Sequence, residues 1–126
     1  MTIRLNHTIV PAADNEAAAR YLADILGLEY AGLHPVAKHF APLPINEELT
    51  LDFMTVPDAA GHHLAFDVDA ATFDAAVAYL RAHELPHGDG PGSYTNGKVD
   101  EHSPLGGRGV YFPDPSGNLY ELIAPA

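Results

Sequence analysis

The sequence contains the same order of structural elements twice, and this internal repeat constrains the fold more than any other feature. In each half, an alternating apolar strand precedes an amphipathic helix, and three short strands follow. The halves cover about residues 3–56 and 62–124 and share few identical residues. The sequence therefore predicts an α+β fold made of two βαβββ modules.

Periodicity and breaker residues locate the elements of the first half. Alternation of apolar and polar residues from Ile3 to Val10 predicts a strand. Apolar residues at helical spacing predict a helix from Glu16 to Leu26, with Gly27 as its terminator. Three further strands are expected at residues 28–32, 36–41 and 49–56.

The second half follows the same plan. A strand is expected at residues 62–69 and a helix from Ala70 to His83. Strands are then expected at residues 85–87, 108–112 and 118–123, with a glycine-rich loop from Gly88 to Gly107. Two prolines and Gly117 predict a tight turn directly before the last strand.

Composition limits the classes of protein and partner. At 126 residues with 47% hydrophobic residues, the chain can form one domain with a substantial core. Only six Lys and Arg stand against 17 Asp and Glu, for a net charge of −11. This balance argues against binding to nucleic acid or to anionic membranes, because both need a basic surface.

The absence of cysteine removes a disulfide framework, thiolate metal ligands and a cysteine nucleophile from consideration. The N-terminal residues lack the apolar core of a signal peptide, and no apolar run is long enough to span a membrane. The sequence therefore predicts a cytoplasmic protein.

Potential metal ligands occupy matching positions in the two halves. The first strand of each half holds a histidine, His7 or His63, and the last strand holds a carboxylate, Asp52 or Glu121. If a pseudo-twofold axis relates the halves, these four side chains can converge on one cavity. Two imidazoles and one or two carboxylates suit zinc or another divalent first-row metal and leave positions open for substrate.

The chain resembles the vicinal oxygen chelate superfamily, which includes lactoylglutathione lyases, fosfomycin-modifying transferases, extradiol dioxygenases and bleomycin resistance proteins. The resemblance covers nearly the whole chain. It rests on three segments, residues 5–7, residues 63–68 and, most specifically, residues 114–122. It implies a curved mixed sheet around a central cavity and, in short members, a homodimer with sites built across the halves or the interface.

The resemblance also implies roles for individual residues. His7, His63 and Glu121 match the family's three common metal positions, and Asp52 matches a fourth, carboxylate ligand of the lyases. Alternatively, Asp52 is a catalytic base, or it contacts a metal ligand without binding the metal itself. Tyr111 corresponds to a substrate-facing tyrosine of the fosfomycin enzymes. The metal is expected to be Zn, Ni, Mn or Fe.

Neighbouring histidines are separated by strand geometry. His62 and His63 face opposite sides of a strand, so only one can join the site, and the resemblance selects His63. Arg108 is a candidate for binding an anionic group of the substrate. The remaining histidines have no matching partner positions and are expected at the surface; they are His34, His39, His83, His87 and His102.

Two classes of function follow. The first is a metal-dependent enzyme, either lyase- or isomerase-like or dioxygenase-like, that chelates two oxygens of a small substrate. In it, Asp52 or Glu121 would move the proton. The alternative is a metal-free binding protein that sequesters a drug or an aromatic natural product in a dimer cleft, which the acidic charge would suit for cationic ligands.

Overall fold

The protein is described by a computed structural model that covers residues 2–104 and 106–125. Two helices and six strands alternate in the order β-α-β-β, which occurs twice. Their bounds are β1 (His7–Ala12), α1 (Asn15–Leu26), β2 (Phe40–Pro44), β3 (Thr50–Thr55), β4 (His63–Asp67), α2 (Ala70–Ala82), β5 (Arg108–Pro113) and β6 (Leu119–Ala124). Neither helix has the length and apolar character needed to cross a membrane, as judged over these described residues.

Two compact units divide the chain. The first contains the described residues up to Gly61 together with residues 115–117, and the second contains the described residues of 62–114 and those from Asn118 onward. The first sheet has the strand order β1-β3-β2 and the second has the order β4-β6-β5. In both, the central strand pairs in parallel with the first strand of the unit and antiparallel with the other. The α+β class and the paired modules are therefore confirmed.

Strand register shows that the two units repeat each other residue by residue. His7 pairs with Thr50 across β1 and β3, and His63 pairs with Leu119 across β4 and β6. Two residues further along each central strand comes a carboxylate, Asp52 in β3 and Glu121 in β6. His7 is thus the equivalent of His63, and Asp52 the equivalent of Glu121, as the repeat predicts.

Two of the expected short strands are not formed. Residues 28–32 are irregular, since Gly27 leaves helix α1 with a φ of +69° and Gly32 has a φ of +106°, both outside the extended region. Residues 85–87 are also irregular. Pro86 lacks the N–H that a strand needs, and pairing begins only at Gly88, which bridges to Tyr111.

Each unit buries one face of its sheet against its helix. In the first unit, Leu51 and Phe53 of β3 are fully buried, and so is Leu22 of α1. In the second, Tyr120 and Leu122 of β6 are fully buried, as are apolar residues of α2. Because successive strand residues point to opposite faces, Asp52 and Glu121 lie on the other side, called the helix-free face below.

Candidate functional site

Glu121 is a buried carboxylate whose two oxygens both have hydrogen-bond donors. The imidazole Nε2–H of His63 donates to Glu121 Oε1 at 3.0 Å. The hydroxyl of Tyr111 donates to Glu121 Oε2 at 3.0 Å. Leaving a buried polar group unpaired costs about 1–3 kcal/mol, and more for a charge. The two donors explain why an acid is tolerated in an apolar strand.

The strands of the second sheet bring these three side chains together. Glu121 lies directly opposite Ala65 of β4 on one side and Tyr111 of β5 on the other. His63 is two residues before Ala65, so it lies on the same helix-free face. The side chain of Glu121 is 5% exposed and that of His63 is 47% exposed. Of the two side chains, the His63 imidazole is therefore the one that solvent reaches.

Tyr111 is a hydrogen-bond donor that keeps its proton at neutral pH. Burial is the largest cause, and together with the hydrogen bond to Glu121 and the charge of Glu121 it raises the pKa of the phenol to about 12. The negative charge of Asp100 adds to the effect. A neutral phenol donates to the carboxylate and holds it in one orientation.

The His63 and Glu121 pair fits a divalent metal ion. An imidazole nitrogen and a carboxylate oxygen are among the usual ligands of such ions, with bond lengths of about 2.0–2.2 Å. Two neighbouring ligands at these bond lengths are roughly 3 Å apart. The observed separation of Nε2 and Oε1 is 3.0 Å. This is also an ordinary hydrogen-bond distance, so a metal ion at this position would replace the proton that Nε2 donates.

The other two predicted ligands lie in the first unit. His7 is exposed, and its Nδ1–H donates to Asn6 Oδ1 at 2.7 Å, which leaves Nε2 available. Asp52 is half-buried on the helix-free face, directly opposite Ile9 of β1 and Pro42 of β2. Across residues 2–104 and 106–125, no three His, Asp or Glu side chains are grouped to hold a metal ion.

Arg108 is engaged away from Glu121. It lies three residues before Tyr111 in β5, so its side chain is on the opposite face of the sheet. Its guanidinium donates to Asp74 at 2.9 Å and lies 4.5 Å from the centre of the Phe73 ring, both on helix α2. The structure therefore does not bring Arg108 together with Tyr111.

One expectation about the histidines is wrong. His87 was expected at the surface, but it is buried, with 7% of its area exposed. Its Nδ1–H donates to the carbonyl of Leu85 at 2.9 Å. The residue follows the end of α2 and lies between Pro86 and Gly88. No strand forms there, so alternation of apolar and polar residues does not indicate which side chains are buried. By contrast, His62 is exposed and directly precedes β4.

Sequence reasoning also missed a polar network in the turn between β5 and β6. Asp114 was expected in a tight turn and Asn118 at the start of the last strand, and both are buried. The sequence signal for this network was Asn118, a polar residue at the start of an otherwise apolar strand.

A family model for the glyoxalase/bleomycin resistance protein/dioxygenase superfamily matches residues 4–122. The chain belongs to this superfamily. Its members include enzymes, they typically use divalent metal ions, and they often form dimers. This confirms the family that the three sequence segments indicated, without deciding which of its activities this chain has.

Two solved structures with 36% sequence identity are similar to this member of the superfamily over its length. The protein named oxidase ChaP-H2 has a TM-score of 0.88, with 100% of this chain and 96% of that chain covered. The protein named oxidase ChaP-H1 has a TM-score of 0.86, with coverage of 99% and 98%. No protein of curated function matches the sequence at a significant level.

More distant superfamily members share the fold alone. The fosfomycin resistance protein FosX from Mesorhizobium loti is 21% identical, with a TM-score of 0.69 and coverage of 100% and 95%. The lactoylglutathione lyase from Agrobacterium tumefaciens is 22% identical, with a TM-score of 0.68 and coverage of 98% and 92%.

The Tyr111 phenol gives a test of the Glu121 environment. In an absorbance titration at 295 nm, we expect Tyr111→Phe to remove one tyrosine that ionises at a pH of about 12. In Glu121→Gln, the pKa of Tyr111 should fall but stay above its usual value near 10, because burial, the main cause, remains.

Tyr30 is the matched control for this titration. Burial and a hydrogen bond to Glu16 also raise its pKa to about 12, and it is far along the chain from Glu121. Glu121→Gln should leave the Tyr30 ionisation unchanged. An unchanged Tyr111 ionisation in Glu121→Gln would mean that the two side chains do not interact as described.

Proposed function

We propose that the protein is a metal-dependent oxidase that uses molecular oxygen to oxidise a small substrate bearing two neighbouring oxygen atoms. The observation that carries this proposal is the 3.0 Å separation of the His63 imidazole and the buried Glu121 carboxylate. The identity of 36% with two proteins named oxidases favours oxidation. The protein named a lyase is more distant in sequence, at 22% identity.

His63 Nε2 and Glu121 Oε1 would hold the metal ion in this proposal, with His7 as a third ligand. Bound Fe(II) or Mn(II) would supply Lewis-acid binding of two substrate oxygens and electron transfer to oxygen. A facial set of two histidines and one carboxylate leaves positions open for both reactants. The lyase- or isomerase-like alternative would use Zn or Ni instead.

The side chains around the metal position have separate tasks. Tyr111 keeps its proton, since its pKa is about 12, and by donating to Oε2 it leaves Oε1 directed at His63. Asp52 is our candidate for the base that removes a substrate proton. Within its own unit and among the described residues, its carboxylate has no hydrogen-bond or ion-pair partner, so its oxygens are available.

A second copy of the chain would supply the third ligand. No three candidate ligands are grouped within the described part of one chain. We therefore propose a homodimer with twofold symmetry in which His7 of one copy joins His63 and Glu121 of the other. Twofold symmetry would then create two equivalent sites.

Metal binding provides the first test of this proposal. Purified protein reconstituted anaerobically with Fe(II) or Mn(II) should bind about one ion per chain, and His63→Ala should lose most of it. His62→Ala is the matched control, because this neighbouring histidine lies outside the strand pair and should leave the metal content nearly unchanged. Elemental analysis after gel filtration measures both.

Equal metal loss in the two histidine variants would show that the assignment of His63 is wrong. No metal in the wild-type protein after reconstitution with Fe(II), Mn(II), Zn(II) or Ni(II) would instead favour the metal-free binding protein.

Oxygen uptake provides the second test. With the Fe(II)-loaded protein in an oxygen electrode, we expect uptake that depends on a substrate from a panel of ortho-dihydroxy aromatics, hydroxyquinones and α-hydroxy ketones. Asp52→Asn should lower kcat by about 100-fold or more, as expected for loss of a general base, while metal content changes little. Asp58→Asn, an exposed carboxylate, is the control.

Substrate isomerisation without oxygen uptake would support the lyase-like alternative. Full activity of Asp52→Asn would remove Asp52 from the mechanism while leaving the oxidase proposal intact.

Mixing two inactive variants tests the shared site. His7→Ala and His63→Ala should each fail to bind metal, but a heterodimer of the two would contain one intact site, built from His7 of one chain and His63 of the other. After dissociation and random reassociation at equal concentrations, about one quarter of the sites should be restored. Metal content and sedimentation of the mixture measure this. If all ligands came from one chain, mixing would restore nothing.

A further inference from the structure

The turn between β5 and β6 contains a hydrogen-bonded network that reaches the backbone of β4. Asn118 is fully buried, Asp114 is 6% exposed, and Tyr120 is fully buried. Asn118 Oδ1 accepts the backbone N–H of His62 at 2.9 Å. In addition, the backbone N–H of Leu119 donates to the carbonyl of His62 at 2.8 Å. Both the backbone N–H and the backbone carbonyl of His62, the residue directly before His63, are thus hydrogen-bonded.

Asp114 fixes the orientation of the Asn118 amide. Asn118 Nδ2 donates to Asp114 Oδ2 at 3.0 Å, and the backbone N–H of Asn118 donates to Asp114 Oδ1 at 2.9 Å. The hydroxyl of Tyr120 donates to Asp114 Oδ2 at 3.2 Å. A peptide N–H only donates and a carboxylate only accepts, so the side chain between them must do both. An asparagine amide meets this requirement with one short side chain.

The location of this network matters because β4 is an edge strand. Among the described residues it pairs with β6 alone, and the pairing begins at His63, its first residue. The side chain of His63 is about half exposed, so its ring is positioned by its hydrogen bond to Glu121 and by the backbone that carries it. A backbone fixed at residue 62 keeps the imidazole within reach of that carboxylate.

We propose that Asn118 is a positioning residue that sets the His63 imidazole at ligand distance from Glu121. Asn118 lies directly before β6 and Glu121 lies within it, so the anchor of the histidine strand and the carboxylate are only three residues apart. The network would organise the two ligands before any ion arrives. This inference rests on the proposed function, because that function makes His63 and Glu121 metal ligands.

Cobalt(II) affinity is the first readout. Residues that orient metal ligands typically change metal affinity by 10–100-fold when substituted. We expect Asn118→Ala to raise the Kd for Co(II) by about 10-fold or more and to alter its visible absorption spectrum. Asn118→Ser, a smaller polar change, should have an intermediate effect and serves if Asn118→Ala does not fold.

Tyr120→Phe is the matched control. It removes the hydrogen bond to Asp114 Oδ2 and keeps the Asn118 side chain that accepts the N–H of His62. Tyr120→Phe should lower thermal stability to an extent comparable with Asn118→Ser, yet leave the Co(II) Kd within about threefold of wild type. Equal effects of both substitutions on Co(II) affinity, or no effect of either, would overturn the proposal.

A metal-free readout separates this inference from the proposed function. The rings of His63 and Tyr111 have centroids 6.0 Å apart, close enough for nuclear Overhauser effects between their protons. In the metal-free protein, these effects and the exchange protection of the His62 amide should weaken in the Asn118 variants and persist in Tyr120→Phe.

Co(II) affinity and the metal-free NMR measurements test separate claims. If the wild-type protein bound no Co(II), the metal function would be wrong, and the ring contacts alone would decide the positioning role. If the ring contacts and amide protection were the same in all variants, Asn118 would not position His63, whatever metal the protein binds.

Discussion

A carboxylate buried in the central strand of a sheet needs a partner for each of its oxygens, and Glu121 meets this need with two neighbouring strands. The imidazole of β4 and the phenol of β5 each donate at 3.0 Å. Because the donors come from opposite sides, the register of the whole second sheet must be correct for Glu121 to be stable there. The same requirement places a histidine and a carboxylate at ligand distance, so the packing of the unit and its candidate chemistry depend on one interaction.

The first unit repeats this scaffold without repeating its contacts. Asp52 is the equivalent of Glu121, but the residue opposite it on the antiparallel strand is Pro42, where the second unit has Tyr111. Proline has neither an N–H nor a polar side chain, so it cannot hold the carboxylate. The duplicated modules thus differ in their carboxylates: Glu121 is held by two donors, whereas among the described residues no donor is recorded on Asp52.

The scaffold alone does not select a reaction. Proteins named oxidases, a lyase and fosfomycin resistance proteins share this fold, and the metal and the surrounding side chains must distinguish them. The oxidase proposal therefore depends on the site and on 36% identity over the chain, not on the fold. In this protein the arginine expected to bind substrate instead donates to Asp74 and lies over the ring of Phe73.

The sequence by itself determined the repeat, the helices, the long strands and the equivalence of His7 with His63, because periodicity and breaker residues act over a few neighbouring positions. It also identified Glu121 as an acid in need of a partner. His63 was expected near it, but only the tertiary structure identified Tyr111 as the donor to its second oxygen, through the register of β5 and β6. Three further features were not predicted: His87 is buried, Arg108 pairs with helix α2, and Asn118 binds the backbone of residue 62. These features join residues distant in sequence or depend on how loops pack, and local patterns carry no information about such contacts.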